Sequence, residues 1–157
     1  MKVFPSLWFE KDVEAAVACY VSLVPNSRIE RTMRMPADSP SGPAGSVIIV
    51  EFTLAGTHFQ AMQAGPLDPF NHAVSFVIAC DTQEELDRIW DGLLEGGQAE
   101  RCGWLRDRWG VAWQIVPSRL EALMQSSDQA AGKRVAEAML KMVKFDIAAL
   151  GRAGRGE

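Results

Sequence analysis

Apolar residues along this chain recur first with a period of two, then near 3.6, then with a period of two again, and the whole order occurs twice. The first pass opens on PSLWF (5–9), a short strand closed by the charged turn Glu10-Lys11-Asp12. Val13, Ala16, Val17, Tyr20 and Val24 then fall at i, i+3, i+4, i+7 and i+11, one apolar stripe that predicts an amphipathic helix. Pro25-Asn26-Ser27 ends it. RIERTMRM (28–35) has the alternation of a strand, and PADSPSGPAG (36–45) is a loop. SVIIVEFTL (46–54) and THFQAMQ (57–63) are strands joined by the tight turn Ala55-Gly56.

After the connector AGPLDPFNH (64–72) the order repeats. AVSFVIAC (73–80) is a strand ending at Asp81, and Thr82 with Glu85 has capping-box spacing. Leu86, Ile89, Trp90, Leu93 and Leu94 form the helical stripe, which Gly96-Gly97 terminates. QAERCGWLRD (98–107) supplies two short strands, and Gly110 turns the chain into the strand VAWQIVP (111–117). Both halves therefore read βαβββ, as modules 3–63 and 73–117. The echo reaches single positions: Gln60 lies four residues after Gly56, and Gln114 four after Gly110. Because residues i and i+2 of a strand share a face, His58, Gln60 and Met62 look one way, as do Ala112, Gln114 and Val116. Phe59 and Ala61, and Val111, Trp113 and Ile115, look the other way and are the seats for the helices. Two modules that each leave a sheet face uncovered would pair to enclose a cavity between curved mixed sheets.

The last third predicts helices over 118–150. Ser118 and Glu121 have capping-box spacing ahead of Leu120, Leu123 and Met124. Asp128 begins a second helix with Ala131, Val135, Ala138, Met139 and Met142 as its stripe. GRAGRGE (151–157) is expected to be a disordered tail. The fold class is α+β, a single domain over 1–157 of two βαβββ modules plus C-terminal helices. The apolar stripes of 120–143 exceed what a small sheet sandwich needs, and a homodimer is expected.

Composition narrows the function. The chain has 157 residues, 48% hydrophobic and 23% charged, with a net charge of −4. Its 16 basic residues are scattered, so nucleic acid is not an expected partner. Glu10, Lys11 and Asp12 interrupt the apolar N-terminus too early for a signal peptide or a membrane span, so no membrane association is expected. Cys19, Cys80 and Cys102 are odd in number and have no CxxC spacing, which reads as reduced thiols in the cytoplasm and not as a zinc site. Cys102 stands near Arg101, Arg106 and Arg108, yet an inert buried thiol is the simpler reading.

LWF (7–9), YVSLVPNSRI (20–29), CGWLRDRWGVAWQIVP (102–117) and AEAMLKMVKFDIAAL (136–150) resemble the PhnB-like family, often labelled a demethylubiquinone methyltransferase domain. The paired modules resemble the wider vicinal oxygen chelate superfamily of glyoxalase I, extradiol dioxygenases and bleomycin-resistance proteins. The resemblance implies a site on the first and last strand of each module, where metal-using members place His, Gln or Glu. Matched strand to strand, those positions are Phe4, Gln60, Ser75 and Gln114. None is charged and Phe4 cannot ligate, whereas hard divalent ions need carboxylates and zinc or nickel need nitrogen or sulfur company. No metal and no cofactor is therefore expected. Nor does the chain hold a glycine-rich strand-to-helix turn for S-adenosylmethionine, since Gly96-Gly97 follows a helix.

The candidate ligand-binding residues are Gln60, Gln114, Ser75, His58, Trp8 and Phe4, with no catalytic residue assigned. The two amides can orient a ligand, or simply bond to neighbouring backbone or buried water. His58 shares the Gln60 face and can act as a base near neutral pH, or be a strand histidine without a role. Trp8 shares the face of Phe4 and Ser6, and Trp113 belongs to the core. His72, at the end of a connector, faces solvent. The expected function is binding of a small molecule in an inter-module cavity without a metal. A metal-independent enzyme is the alternative, and a metal-dependent glyoxalase or dioxygenase is the third class.

Overall fold

The helical stripes and alternating strands of the sequence become two like-ordered units in a computed structural model that describes residues 1–157. The units are Met1–Pro69 and Phe70–Glu157. In the first, β1 (Ser6–Phe9) and α1 (Val13–Leu23) precede β2 (Arg28–Arg34), β3 (Ile48–Leu54) and β4 (Thr57–Gln63). The sheet order is β1-β4-β3-β2. β1 lies parallel to β4 and the other pairs are antiparallel. The parallel pair puts β1 at an edge and requires a crossover, which α1 opens. Val13, Ala16, Val17 and Tyr20 of α1 are fully buried, with Val50, Phe52, Phe59 and Ala61 of the sheet in the same core. Asp12, at the helix start, has a left-handed backbone and caps nothing with its side chain. Gln63 Oε1 instead accepts from the Val13 N–H at 3.3 Å. Ala55 and Gly56 both have positive φ, 45° and 85°, the geometry that matches a two-residue hairpin to strand twist. β2 is exposed along its whole length, and Arg28, Glu30, Arg31 and Arg34 keep this edge from pairing with another chain.

The second unit repeats the order with β5 (Phe76–Cys80), α2 (Gln83–Leu94), β6 (Gln98–Ala99), β7 (Trp104–Arg106) and β8 (Ala112–Pro117). Its sheet runs β5-β8-β7-β6, again first strand, last strand, third, second. Thr82 and Glu85 form the capping box that their spacing predicts. Leu86, Ile89, Trp90 and Leu93 are buried, as are Trp113 and Ile115 on the face opposite Gln114. Both sequence-predicted stripes thus face inward, and the two sheets keep the predicted in–out alternation.

The C-terminal region departs from expectation in three places. α3 (Leu120–Met124) is not capped by Ser118. The N-cap position falls one residue later, at Arg119, and the Ser118 hydroxyl instead donates to Asp81 Oδ1 at 2.6 Å in a charge-assisted bond. α4 (Gln129–Met139), capped by Asp128 as predicted, stops short of Met142. The tail expected to be disordered is instead the second half of α5 (Ile147–Arg155). Three interactions order it: Asp146 caps its N-terminus, Leu150 is fully buried, and the Arg134 guanidinium donates to the Ala153 and Gly154 carbonyls at 3.0 and 2.7 Å. Gly103 shows why the intervening chain packs so closely. Its backbone N–H donates to Val143 and its carbonyl accepts from Ile115, and a Cβ there would lie 2.4 Å from the Phe145 ring.

Candidate functional site

Strand register decides which side chains meet on the face that the helices leave uncovered. In the first unit Ser6 pairs with Gln60, Gln60 with Glu51, and Glu51 with Arg31, so one row of four polar residues crosses all four strands. Paired residues point to the same side of a sheet, so these side chains share a surface. Gln60 Nε2 donates to Ser6 Oγ at 3.0 Å, and Arg31 donates to Glu51 Oε1 at 2.7 Å. In the next row along β4, His58 lies edge-on to Phe4, with ring centroids 4.6 Å apart and planes at 81°. Trp8 pairs with Met62, and its indole N–H is engaged by the Gly65 carbonyl at 2.9 Å. The structure therefore gathers Phe4, Trp8, His58 and Gln60 on one face, but Phe4 and Trp8 offer only apolar surface there.

The second unit has a related row. Gln114 pairs with Val77 on one side and Trp104 on the other, and the Glu100 N–H continues it by donating to the Trp104 carbonyl. Since Ser6 faces Gln60 and Val77 faces Gln114, Phe4 and Ser75 each stand two residues before the paired position and are equivalent. Gln114 Nε2 reaches diagonally to Ser75 Oγ at 2.8 Å. Both amides thus donate to a serine hydroxyl, Ser6 in one unit and Ser75 in the other. Each pair keeps an amide oxygen as acceptor and a hydroxyl proton as donor.

Register also brings in residues that sequence reasoning set aside. Ser6 is the partner of Gln60, a relation hidden because β1–β4 pairing is long-range. Glu51, which alternation alone leaves pointing to solvent, is half-buried and held by Arg31. His72 is exposed, but its Nε2 lies 2.7 Å from Glu100 Oε2 and its ring is 5.7 Å from that of Trp104. The other Glu100 oxygen accepts from Arg106 Nε at 3.0 Å, and Arg106 also donates to Gln98 Oε1 at 2.8 Å. His72 faces solvent as the sequence predicts, and these contacts join it to Glu100 and Trp104.

The donor set does not fit a divalent ion. Phe4 has no donor atom, the two amides are neutral, and the nearby carboxylates Glu51 and Glu100 are neutralised by arginines. No three His, Cys, Asp or Glu side chains stand close enough together to hold a metal. Neither are the thiols part of this surface: no cysteine is in a disulfide, and burial pushes Cys80 up to about 11.

With this geometry in hand, the chain can be compared with known proteins. A family model described as 3-demethylubiquinone-9 3-methyltransferase matches residues 1–116. Among solved structures, a PhnB protein of Bacillus cereus, described with the same methyltransferase name, is 30% identical. The alignment covers 74% of this chain and 99% of that one, with a TM-score of 0.65. A protein of Pseudomonas aeruginosa is 23% identical over 74% of this chain and 97% of its own, with a TM-score of 0.57. The fosfomycin resistance protein FosX of Listeria monocytogenes is similar in fold, at 14% identity over 80% of this chain and 98% of its own and a TM-score of 0.56. No curated protein matches the sequence.

Proposed function

The chain belongs to the 3-demethylubiquinone-9 3-methyltransferase family of PhnB-like proteins, with the vicinal oxygen chelate fold, and from that premise we propose that each of its two units can bind a small polar molecule at its own amide–serine pair, without a metal ion. One observation carries the reading: each unit presents, on the same strand of the same sheet order, an uncharged amide already bonded to a serine hydroxyl. Such a pair orients a ligand through one acceptor and one donor, and contributes little to holding a cation. Phe4, Trp8 and Met62 in one unit and Val77 and Trp104 in the other provide apolar contact beside the amides, the mixture expected of small-molecule sites. The reading takes the protein to be cytoplasmic, as cysteines outside any disulfide favour. No helix is long and apolar enough to cross a membrane.

A metal-independent enzyme is the second reading, favoured by the His72–Glu100 contact beside Trp104. A histidine engaged through Nε2 retains Nδ1 as a proton acceptor. The family's methyltransferase name finds no cofactor cradle to support it, because the two strand-to-helix turns, Glu10-Lys11-Asp12 and Asp81-Thr82, contain no glycine to let a cofactor approach the backbone.

The test is a nuclear magnetic resonance screen of small polar molecules, with fosfomycin included because of the likeness to FosX. A ligand of the proposed site shifts the side-chain amide signals of Gln60 or Gln114, and Gln60→Leu or Gln114→Leu weakens it by about tenfold, the worth of one good hydrogen bond. Ligands whose shifts lie wholly elsewhere, and whose affinity both variants leave intact, would overturn the proposal.

A further inference from the structure

We infer that the C-terminal helices build a second small-molecule site, one that takes an apolar body carrying a single anionic group. The family model ends at residue 116, and the Bacillus cereus relative is covered almost completely by 74% of this chain. The helices α3, α4 and α5 all lie beyond residue 116, outside the span that the family model matches. They line an open pocket of about 430 Å³ against the ends of β5 and β8, within the size range of small-molecule sites. It lies on the helix-bearing side of the second sheet, since Cys80 and Pro117 pair on the face that carries Ile115, opposite Gln114. It is therefore distinct from the amide pairs and does not rest on the reading given to them.

Cys80, Pro117, Ala122, Leu123, Ile147 and Leu150 make the wall apolar. The space exists because α5 carries Gly151 and Gly154 on this side. A Cβ at Gly151 would meet only Arg155 Nη1, at 3.5 Å, so the helix forgoes a side chain that it has room for. Glycine in a helix interior costs about 1 kcal/mol relative to alanine, which makes an open wall more than a packing accident. The charged groups on the lining are Asp81, Arg119 and Arg155. Asp81 accepts from Ser118 at 2.6 Å, and Arg155 is held in two contacts by Glu157 at 2.8 and 2.9 Å. The guanidinium of Arg119, alone among them, forms no hydrogen bond or ion pair; the residue's backbone carbonyl accepts from Leu123 at 3.0 Å. A guanidinium left without a partner at the mouth of an apolar cavity selects a carboxylate or similar anion attached to an aliphatic or aromatic body.

Calorimetric titration of the full chain with decanoate, and in parallel with decanol, tests this. Decanoate should saturate with one molecule per chain. Gly151→Leu, which fills the cavity from α5, and Ala122→Phe, which fills it from α3, should each lower its affinity by about tenfold or more. Circular dichroism checks that both variants fold, and two independent walls keep the test decisive should one fail. Arg119→Ala should weaken decanoate by roughly fivefold while leaving decanol as in the wild type, as expected for a half-exposed charge contact. Gln60→Leu and Gln114→Leu should leave decanoate unchanged. Absence of saturable binding, unchanged affinity in the filled variants, or equal loss of decanoate and decanol in Arg119→Ala would overturn the inference.

Discussion

The indole Nε1 of Trp113 donates to Asp107 Oδ2 at 2.9 Å, and both residues are buried. The other carboxylate oxygen accepts from the backbone N–H of Trp109 and of Val111, at 2.9 and 3.0 Å. One acid therefore forms the turn before β8 and satisfies the largest fully buried side chain of its core. Asp107→Ala strands three donors and should lower stability by about 3 kcal/mol, the range seen when a buried hydrogen-bonding network is broken. Asp107→Asn, which keeps an acceptor, should lose less. Urea unfolding of the three proteins checks the order.

Gln83 ties the C-terminal segment to α2. Its Nε2 donates to the Phe145 carbonyl at 3.0 Å and its Oε1 accepts from the Ile147 N–H at 2.9 Å. Gln83→Ala should cost about 1–2 kcal/mol and loosen α5 before the sheets. Hydrogen exchange should show protection falling first in α5, with β8 unchanged.

The Cys80 thiol is 2% exposed, and burial pushes its ionisation up to about 11 from an ordinary value of 9.0. Between these values the unfolded chain loses this proton while the folded chain keeps it. Stability from Cys80 is thus fully present below pH 9 and is lost as pH rises toward 11. Cys80→Ala should flatten the fall in stability over that window. In the wild type, a thiol reagent at neutral pH should modify Cys80 last of the three cysteines.

The expectation of a homodimer is kept as a proposal. Val74 and Val77 are 67% and 58% exposed, and β5 is a sheet edge, a combination that ordinarily pairs or is covered. Sedimentation at tens of micromolar should give a dimer, and Val77→Lys should shift it toward monomer. A monomeric wild type would contradict the proposal.

The architecture was legible because its signals are local. Two 3.6-period stripes, the Thr82–Glu85 box and the equal glycine-to-glutamine offsets each lie within a few residues of one another. What escaped depends on register or competition. Ser6 opposite Gln60, and His72 beside Glu100, follow from long-range strand pairing that no spacing reveals. Arg31 meets Glu51 only because the pairing shifts by a residue between Ile29 and Arg31. Ser118 had the spacing of a cap, but the helix begins one residue later, at an Arg119 N-cap. The glycine-rich tail read as disordered because Arg134, 19 residues from the Ala153 carbonyl it holds, supplies order that composition does not.

Titration with Mn(II), read by the electron paramagnetic resonance signal of the free ion, tests the metal-free character of the site most directly. The comparison is between the wild type and the double variant Gln60→Glu with Gln114→Glu. Exchanging amide for carboxylate adds the charge that hard cations require while keeping size and position. The account predicts no wild-type binding in the submillimolar range, and at least about tenfold tighter binding by the double variant. Stoichiometric, tight Mn(II) on the wild-type protein would contradict it.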